Sequence, residues 1–469
     1  MRTVSEEKIE SKHRAFTWIV FLIFGGLGIL FVTTLIGRNR PAVELKAELA
    51  AARKLGIPLT YEEYFARDSG AEASSGPPEY VRILKPVLDD LELSSKLNDA
   101  RFAIRTELNS YGNPYADKKA LLKTLRNAIE PFPKLIEAIH RAAALERWPH
   151  YQLSQNDVSA AQSWQMELSN ALYLLLAAAI VDAEAGRWDL ALEHLQGAYR
   201  LSVRFSDERT FIGMVRLKED YPRQLEVQRA LASLTNCPAS FLKKLAQLNE
   251  QELTSLSPAR LFELAHVELY TDLFHPRNRE LYFDEEVNPY ERMIDSFGKP
   301  AISIEEAQAI WLKSLQSIYQ SVDLRNAEYT EVIAAIRRNA PPVDAAIDGL
   351  LPSSGGWGAF STLADLLSDA EKIEKKVLAE RRLMKVFLLC MEHYRRAGVF
   401  PKALPLKGQE AIDPFTGNPL RYQLRKGGFL AYSLGENGAD DGGREFSSAN
   451  RNVDDFSVEY PVPPPNLGR

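Results

Sequence analysis

Residues 175–205 read LLAAAIVDAEAGRWDLALEHLQGAYRLSVRF, and this stretch decides the fold class. Apolar residues recur at three- and four-residue steps on both sides of Gly186, which predicts two helices joined by a tight turn. Ala179, Ala191 and Ala198 are small enough to let the two backbones approach, and Trp188 and Leu195 can fill the groove that close approach leaves. The same grammar extends outward. From Pro86 to about Glu392 the chain is rich in Leu, Ala, Glu, Lys and Gln, with almost no strand-type alternation. Breaks are expected near Asn113-Pro114, Trp148-Pro149, Gly186, Cys237-Pro238, His275-Pro276, Pro341-Pro342 and Pro352–Gly358. The body, residues 81–380, is predicted to be all-α.

The 175–205 stretch resembles one tetratricopeptide-type hairpin, with Ala179, Gly186, Trp188, Ala191, Leu195 and Ala198 at that repeat's packing positions. Asp182 stands where the repeat prefers an aromatic, and Val203 where it often has proline. No second clear copy follows at a 34-residue period. Stacked repeats need about three copies for stability, so an ordinary antiparallel hairpin within one packed helical domain is the favoured reading.

Composition narrows the function classes. Of 469 residues 45% are hydrophobic and 26% charged, the balance of a folded chain rather than a disordered one. Acids outnumber bases by 63 to 57, which excludes a basic nucleic-acid footprint spread over the molecule. Two cysteines exclude a disulfide scaffold and a cysteine-rich zinc module. A mean hydropathy of −0.24 excludes a multi-spanning membrane protein.

One segment departs from that soluble composition. Residues 15–37, AFTWIVFLIFGGLGILFVTTLIG, carry no charge over 23 residues. As a helix they would be about 34 Å long, enough for a hydrocarbon core of roughly 30 Å. A buried core helix would keep a polar stripe, and a cleaved signal would be shorter and end at a small-residue site. The run instead meets Arg38-Asn39-Arg40-Pro41, so it reads as an uncleaved transmembrane anchor. Four basic residues precede it (Arg2, Lys8, Lys12, Arg14) and five follow (Arg38, Arg40, Lys46, Arg53, Lys54), a tie under the positive-inside rule. Residues 1–14 are then a short amino end and 38–80 a juxtamembrane segment of helices and linker. In that segment Leu45, Leu49, Ala52 and Leu55 share a helical spacing, Gly56 and Pro58 stop the helix, and Thr60 with Glu63 forms a capping box.

A search for catalytic chemistry finds no motif. None of the seven histidines forms HExxH or pairs with a cysteine at zinc spacing, and each reads as a solvated or core side chain. Asp284-Glu285-Glu286 reads as a solvated loop. Gly355-Gly356-Trp357-Gly358 lacks the lysine and preceding strand of a phosphate loop. Cys390, within VFLLCM, reads as a small buried hydrophobe, and whether it pairs with Cys237 stays open.

Near residue 398 the pattern changes. Arg381–Ala397 is an amphipathic helix; Leu420–Leu424 alternates like a strand, Lys426-Gly427-Gly428 turns, and Phe429–Leu434 alternates again. A β-hairpin is predicted, leading into a loop crowded with Asn, Gly and Asp. The order Gly398-x-Phe400-Pro401, Asp413-Pro414-x-x-Gly417-x-Pro419-x-x-Tyr422 and Tyr432-Ser433-x-Gly435-x-Asn437-Gly438 resembles the tail of type II secretion major pseudopilins. The likeness spans residues 381–456 and implies a small α+β module whose final loop binds calcium. At the amino end, Ala15 and Val20 replace the Gly and Glu of a prepilin site. The whole layout also resembles membrane-anchored helical proteins of planctomycetes and their relatives. The resemblance rests on the anchor, the 48–64 segment, the AGRWDLAL hairpin and the tail; it implies no reaction, and it places the body outside the cytoplasm.

The calcium expectation names its donors. Backbone carbonyls around Leu434 and Asn437, with the carboxylates of Asp440, Asp441, Asp454 and Asp455, would supply hard oxygens, and Gly435, Gly438, Gly442 and Gly443 let the chain wrap. The loop is not an EF-hand. Residues 457–469, which include Tyr460-Pro461-Val462-Pro463-Pro464-Pro465, read as a Pro-rich disordered end. Together these readings predict a non-enzymatic, single-pass protein of a bacterial inner (cytoplasmic) membrane, with its body extracytoplasmic. It would act as a helical scaffold or interaction module, with no nucleic acid among its partners. The alternatives are an atypical pseudopilin-like component or cargo of a secretion system, and a periplasmic hydrolase.

Overall fold

The computed structural model describes residues 41–60, 63–64, 79–88, 91–111, 117–145, 158–207, 211–249, 257–274, 302–350, 359–444 and 454–461. The 15–37 span, Asp284–Glu286 and Gly355–Gly358 lie outside them. No described helix is long and apolar enough to cross a membrane.

The described chain is mainly α, closing on a small three-stranded antiparallel sheet. Its helices are α1 (41–54), α2 (Glu79–Leu88), α3 (Leu91–Ser110), α4 (Lys118–Ile129), α5 (Pro133–Ala143), α6 (Val158–Glu184), α7 (Trp188–Asp207), α8 (Phe211–Ser233), α9 (Ala239–Leu248), α10 (Pro258–Phe274), α11 (Ile304–Ser321), α12 (Tyr329–Leu350) and α13 (Ala359–Ala397). The strands are β1 (Arg421–Arg425), β2 (Gly428–Ser433) and β3 (Phe456–Tyr460).

Local chemistry sets many of the helix ends. α1 stops at Gly56, where Ile57 N–H donates to the Ala52 carbonyl at 3.0 Å. Thr60 Oγ1 accepts from Glu63 N–H at 3.2 Å, the N-cap half of the expected box. Asp117 caps α4 through the amides of Lys119 and Ala120, and Ser303 caps α11 through that of Glu306.

The body expected as a single helical domain divides into two compact units. The first holds the described parts of 1–59 and 266–365. In it α11 pairs with α12, and Trp311, fully buried, sets its ring edge-on to Phe360 at 4.7 Å and to Phe274 at 5.9 Å. The break expected at Pro341-Pro342 does not occur, since both prolines lie inside α12. Val332, Ile336, Ala340, Val343 and Ile347 continue one buried stripe through them, and this burial offsets the roughly 3 kcal/mol an interior proline costs.

The second unit holds the described parts of 60–265 and 366–469. Its axis is α6, which packs on α3, α4, α5, α7 and α8. That surround explains why Ala171–Val181 is buried all the way round instead of along one stripe. α6 and α7 form the predicted hairpin, turning at Gly186 (φ +78°).

The tail belongs to this second core. The expected helix 381–397 is the last part of the 39-residue α13, so the proposed boundary at 380/381 falls within a continuous helix. Phe387, Phe400 and Phe429 pack together with Tyr394, Tyr422 and Tyr460, joining α13 to the sheet. β1 and β2 form the predicted hairpin, with Arg425 opposite Gly428. A correction concerns the end of the chain: Phe456–Tyr460, four residues of which were expected in the disordered end, form β3 and pair with β2. β2 is therefore central and buried on both faces. Phe429 and Ala431 join the main core, and Leu430, Tyr432 and Leu434 form a second small cluster. Gly428 is required there, because an added Cβ would overlap the Tyr460 carbonyl.

Candidate metal centre

The loop leaving β2 and the residues entering β3 meet at one end of the sheet. Of the residues chosen as calcium ligands, the fold brings three carboxylates together: oxygens of Asp441, Asp454 and Asp455 lie within 4.8 Å of one another. Asp454 and Asp455 arrive through β3, whose pairing with β2 fixes their position beside the 434–444 loop. Gly435, Gly438, Gly442 and Gly443 all take left-handed φ values between +65° and +79°, so the loop wraps as expected. At Gly435 the requirement is absolute, because a Cβ would overlap the Asp454 carbonyl oxygen and come within 2.8 Å of Asp454 Oδ1.

The hydrogen bonds leave a specific deficit. Asp454 Oδ2 accepts from the amides of Glu436 (2.9 Å) and Asn437 (3.0 Å), and Asp455 Oδ2 from that of Gly443 (2.8 Å). The other oxygen of each, Asp454 Oδ1 and Asp455 Oδ1, is buried with no hydrogen-bond partner. Asp455 is only 1% exposed. Burial, with the charges of Asp441 and Asp440 adding to it, raises its carboxyl to about 6, although the backbone amides of Gly443 and Asp441 pull the other way. A buried carboxylate oxygen without a donor is costly, and two beside a third acid need a proton or a cation between them. Calcium, which takes six to eight oxygens at roughly 2.3–2.6 Å, suits this all-oxygen donor set. Asp441, Asp454 and Asp455 could hold such an ion.

The other three chosen residues stand differently. Asp440 turns away: its Oδ1 accepts from Tyr432 Oη at 2.9 Å and Gly442 N–H at 3.1 Å, and Oδ2 lies 3.8 Å from Arg421 Nε. Asn437 braces the group, donating its amide to Asp454 and its side chain to Asp441 Oδ2 at 3.3 Å. Leu434 donates its amide to Asp413 Oδ2 at 2.9 Å.

Asp413 is the residue that sequence reasoning passed over as functional. Its carboxylate, 1% exposed, accepts from Phe415 N–H, Thr416 Oγ1, Ser433 Oγ and Leu434 N–H. It thus pins the 413–417 turn to the end of β2 and sets where the acidic loop begins. Asp413-Pro414 belongs to the pseudopilin-like pattern, but nothing local marks its partners 20 and 21 residues away. Tyr422, from the same pattern, donates to the Pro401 carbonyl at 2.7 Å. Both cysteines are free and buried, with thiols pushed up to about 12 by burial.

No family model matches this chain, and neither a curated protein nor a solved structure is similar to it.

Proposed function

We propose that this chain is a non-enzymatic, single-pass protein of a bacterial inner membrane, anchored by residues 15–37, with its body on the extracytoplasmic side. The body serves as a helical scaffold or interaction module, with the α6–α7 hairpin as a tetratricopeptide-like unit. The tail is pseudopilin-like and closes on a calcium ion held by Asp441, Asp454 and Asp455. The observation that carries the calcium-bound tail is the pair of buried oxygens on Asp454 and Asp455 without a hydrogen-bond partner, since a solvated acidic turn would leave neither buried. The uncharged 15–37 run supports the anchor.

The anchor is tested by fractionation. The protein stays with membranes through a high-salt wash and leaves only in detergent, and protease added outside spheroplasts digests the body. Release by salt, or protection from protease, would reverse the assignment. A defined hydrolytic turnover by the purified protein, lost on a single side-chain change, would overturn the non-enzymatic reading.

A second reading, an atypical pseudopilin-like component or cargo, is favoured by the pattern running from Gly398 through Asn437-Gly438. An intact mass corresponding to an amino terminus at Phe16 would select it.

A further inference from the structure

Away from the tail, two histidines 54 residues apart meet. His140 of α5 and His194 of α7 place Nε2 and Nδ1 at 2.9 Å, and His194 Nε2 lies 3.2 Å from Asp182 Oδ2 of α6. Arg187, in the hairpin turn, holds the other oxygen of Asp182. His194 and Asp182 have side chains 15% and 13% exposed. The His140 ring sits on Gly197, where an added Cβ would come within 2.8 Å of Cε1 and Nδ1. One ring therefore fills the dent that a missing side chain leaves in α7, and three helices converge on one hydrogen-bonded chain.

The polarity of that chain follows from its carboxylate end. Asp182 only accepts, so His194 Nε2 carries the proton and its Nδ1 is a bare acceptor. His140 Nε2 must then donate, leaving both rings neutral. A single added proton can be shared between the rings and stabilised by Asp182. With two, an N–H would face an N–H at 2.9 Å, and the contact cannot persist.

We infer that Asp182, His194 and His140 form a proton-sensitive clasp, which fastens α5 to the α6–α7 hairpin and opens when both imidazoles are charged. Burial lowers both rings from the usual histidine range; His194 lowers His140 further, and Asp182 opposes the effect on His194. The other charges acting on the pair are Glu193, which raises both, and Arg200, which lowers His140. α2, packed on α5, and α9, packed on α7, add no charge to either ring among the described residues. The sign follows directly. Groups depressed in the closed state stabilise it fully above their open-state value of about 6.5, and that stability is lost as pH falls below it. The clasp holds at most one proton where the open state takes two. The opening constant therefore rises about 30-fold between pH 7.5 and pH 5 for the one proton that is excluded.

Hydrogen exchange of the full-length protein in detergent, corrected for intrinsic rates, tests this. Peptides covering α5 should lose about 30-fold or more protection at pH 5 relative to peptides from α11. The His140→Gln, His194→Gln double variant should show the same α5 protection at both pH values, because amides replace the titrating rings. Equal protection of α5 at both pH values in the unmutated protein, or the same loss in the double variant, would overturn the inference. Should that variant be unfolded at pH 7.5, exchange of the histidine C2 protons in the unmutated protein decides. A second titration step below about 6.5 supports the clasp, whichever ring takes the first proton, and two steps both at or above it refute it.

Discussion

Calcium should lock the tail, and the size of the effect can be worked from Asp455. Its carboxyl rises from 3.8 to about 6 in the folded chain. At pH 7.5 the empty fold carries a charge that burial and the neighbouring Asp441 and Asp440 carboxylates disfavour. The sign is that of a raised pKa. Stability is fully present below 3.8 and lost as pH rises through about 6, because the folded carboxyl keeps a proton that the unfolded one has released. A bound cation removes the penalty and adds stabilisation that grows with the logarithm of its free concentration, about 2.7 kcal/mol at 100 times Kd. The assay is hydrogen exchange of the full-length protein in detergent at pH 7.5, with calcium or with chelator, read on peptides covering 428–444 and 454–461. At that saturation protection should rise about 100-fold. Asp441→Asn and Asp454→Asn should each weaken or abolish the response. Asp440→Asn should keep it, since that carboxylate is held by Tyr432 and Gly442. Asp455→Asn should abolish the response and also flatten the pH dependence seen in chelator. Identical protection with calcium and with chelator in the unmutated protein would refute the reasoning. Loss of the response in Asp440→Asn but not in Asp454→Asn would refute the ligand assignment.

Two further outcomes follow from other parts of the fold. Asp413→Ala should destabilise the tail by about 3 kcal/mol or more in urea unfolding, because it strands the buried Leu434 amide and Ser433 hydroxyl; a loss below about 1 kcal/mol would show that the turn is not pinned there. Cys237 and Cys390, both buried with thiols raised to about 12, should resist a thiol reagent at pH 8 in the native protein and react promptly in denaturant.

The two titrating clusters should move in opposite senses on acidification. The empty tail tightens as Asp455 takes its proton, and α5 loosens as the histidines charge. Peptide-resolved exchange separates them, where a global melting curve would sum them.

How much was legible depends on the distance over which each decision is made. The α6–α7 hairpin and the β1–β2 hairpin could be read because their signals are local: helical spacing around Gly186, and period-two alternation around Lys426-Gly427-Gly428. The glycines that let the acidic loop wrap were legible for the same reason. β3 was not, because Phe456–Tyr460 runs straight into Pro461 and its partner strand ends 23 residues earlier, at Ser433. Pro341-Pro342 misled because a local helix breaker was outweighed by a buried stripe that only the packed α12 reveals. The pseudopilin likeness and the local composition marked Asp440, Asp441, Asp454 and Asp455 as equal candidates. Adjacent acids on one backbone point in different directions, and the fold gave Asp440 to Tyr432 while aiming Asp441 at Asp454 and Asp455. His140 and His194 looked like two unrelated side chains until α5 docked on α7. Spacing along the chain sets which elements form, since backbone hydrogen bonding and hydrophobic periodicity are short-range. Which buried acid lacks a donor, and which histidine finds another, depends on contacts between elements far apart in sequence, and only tertiary packing creates those.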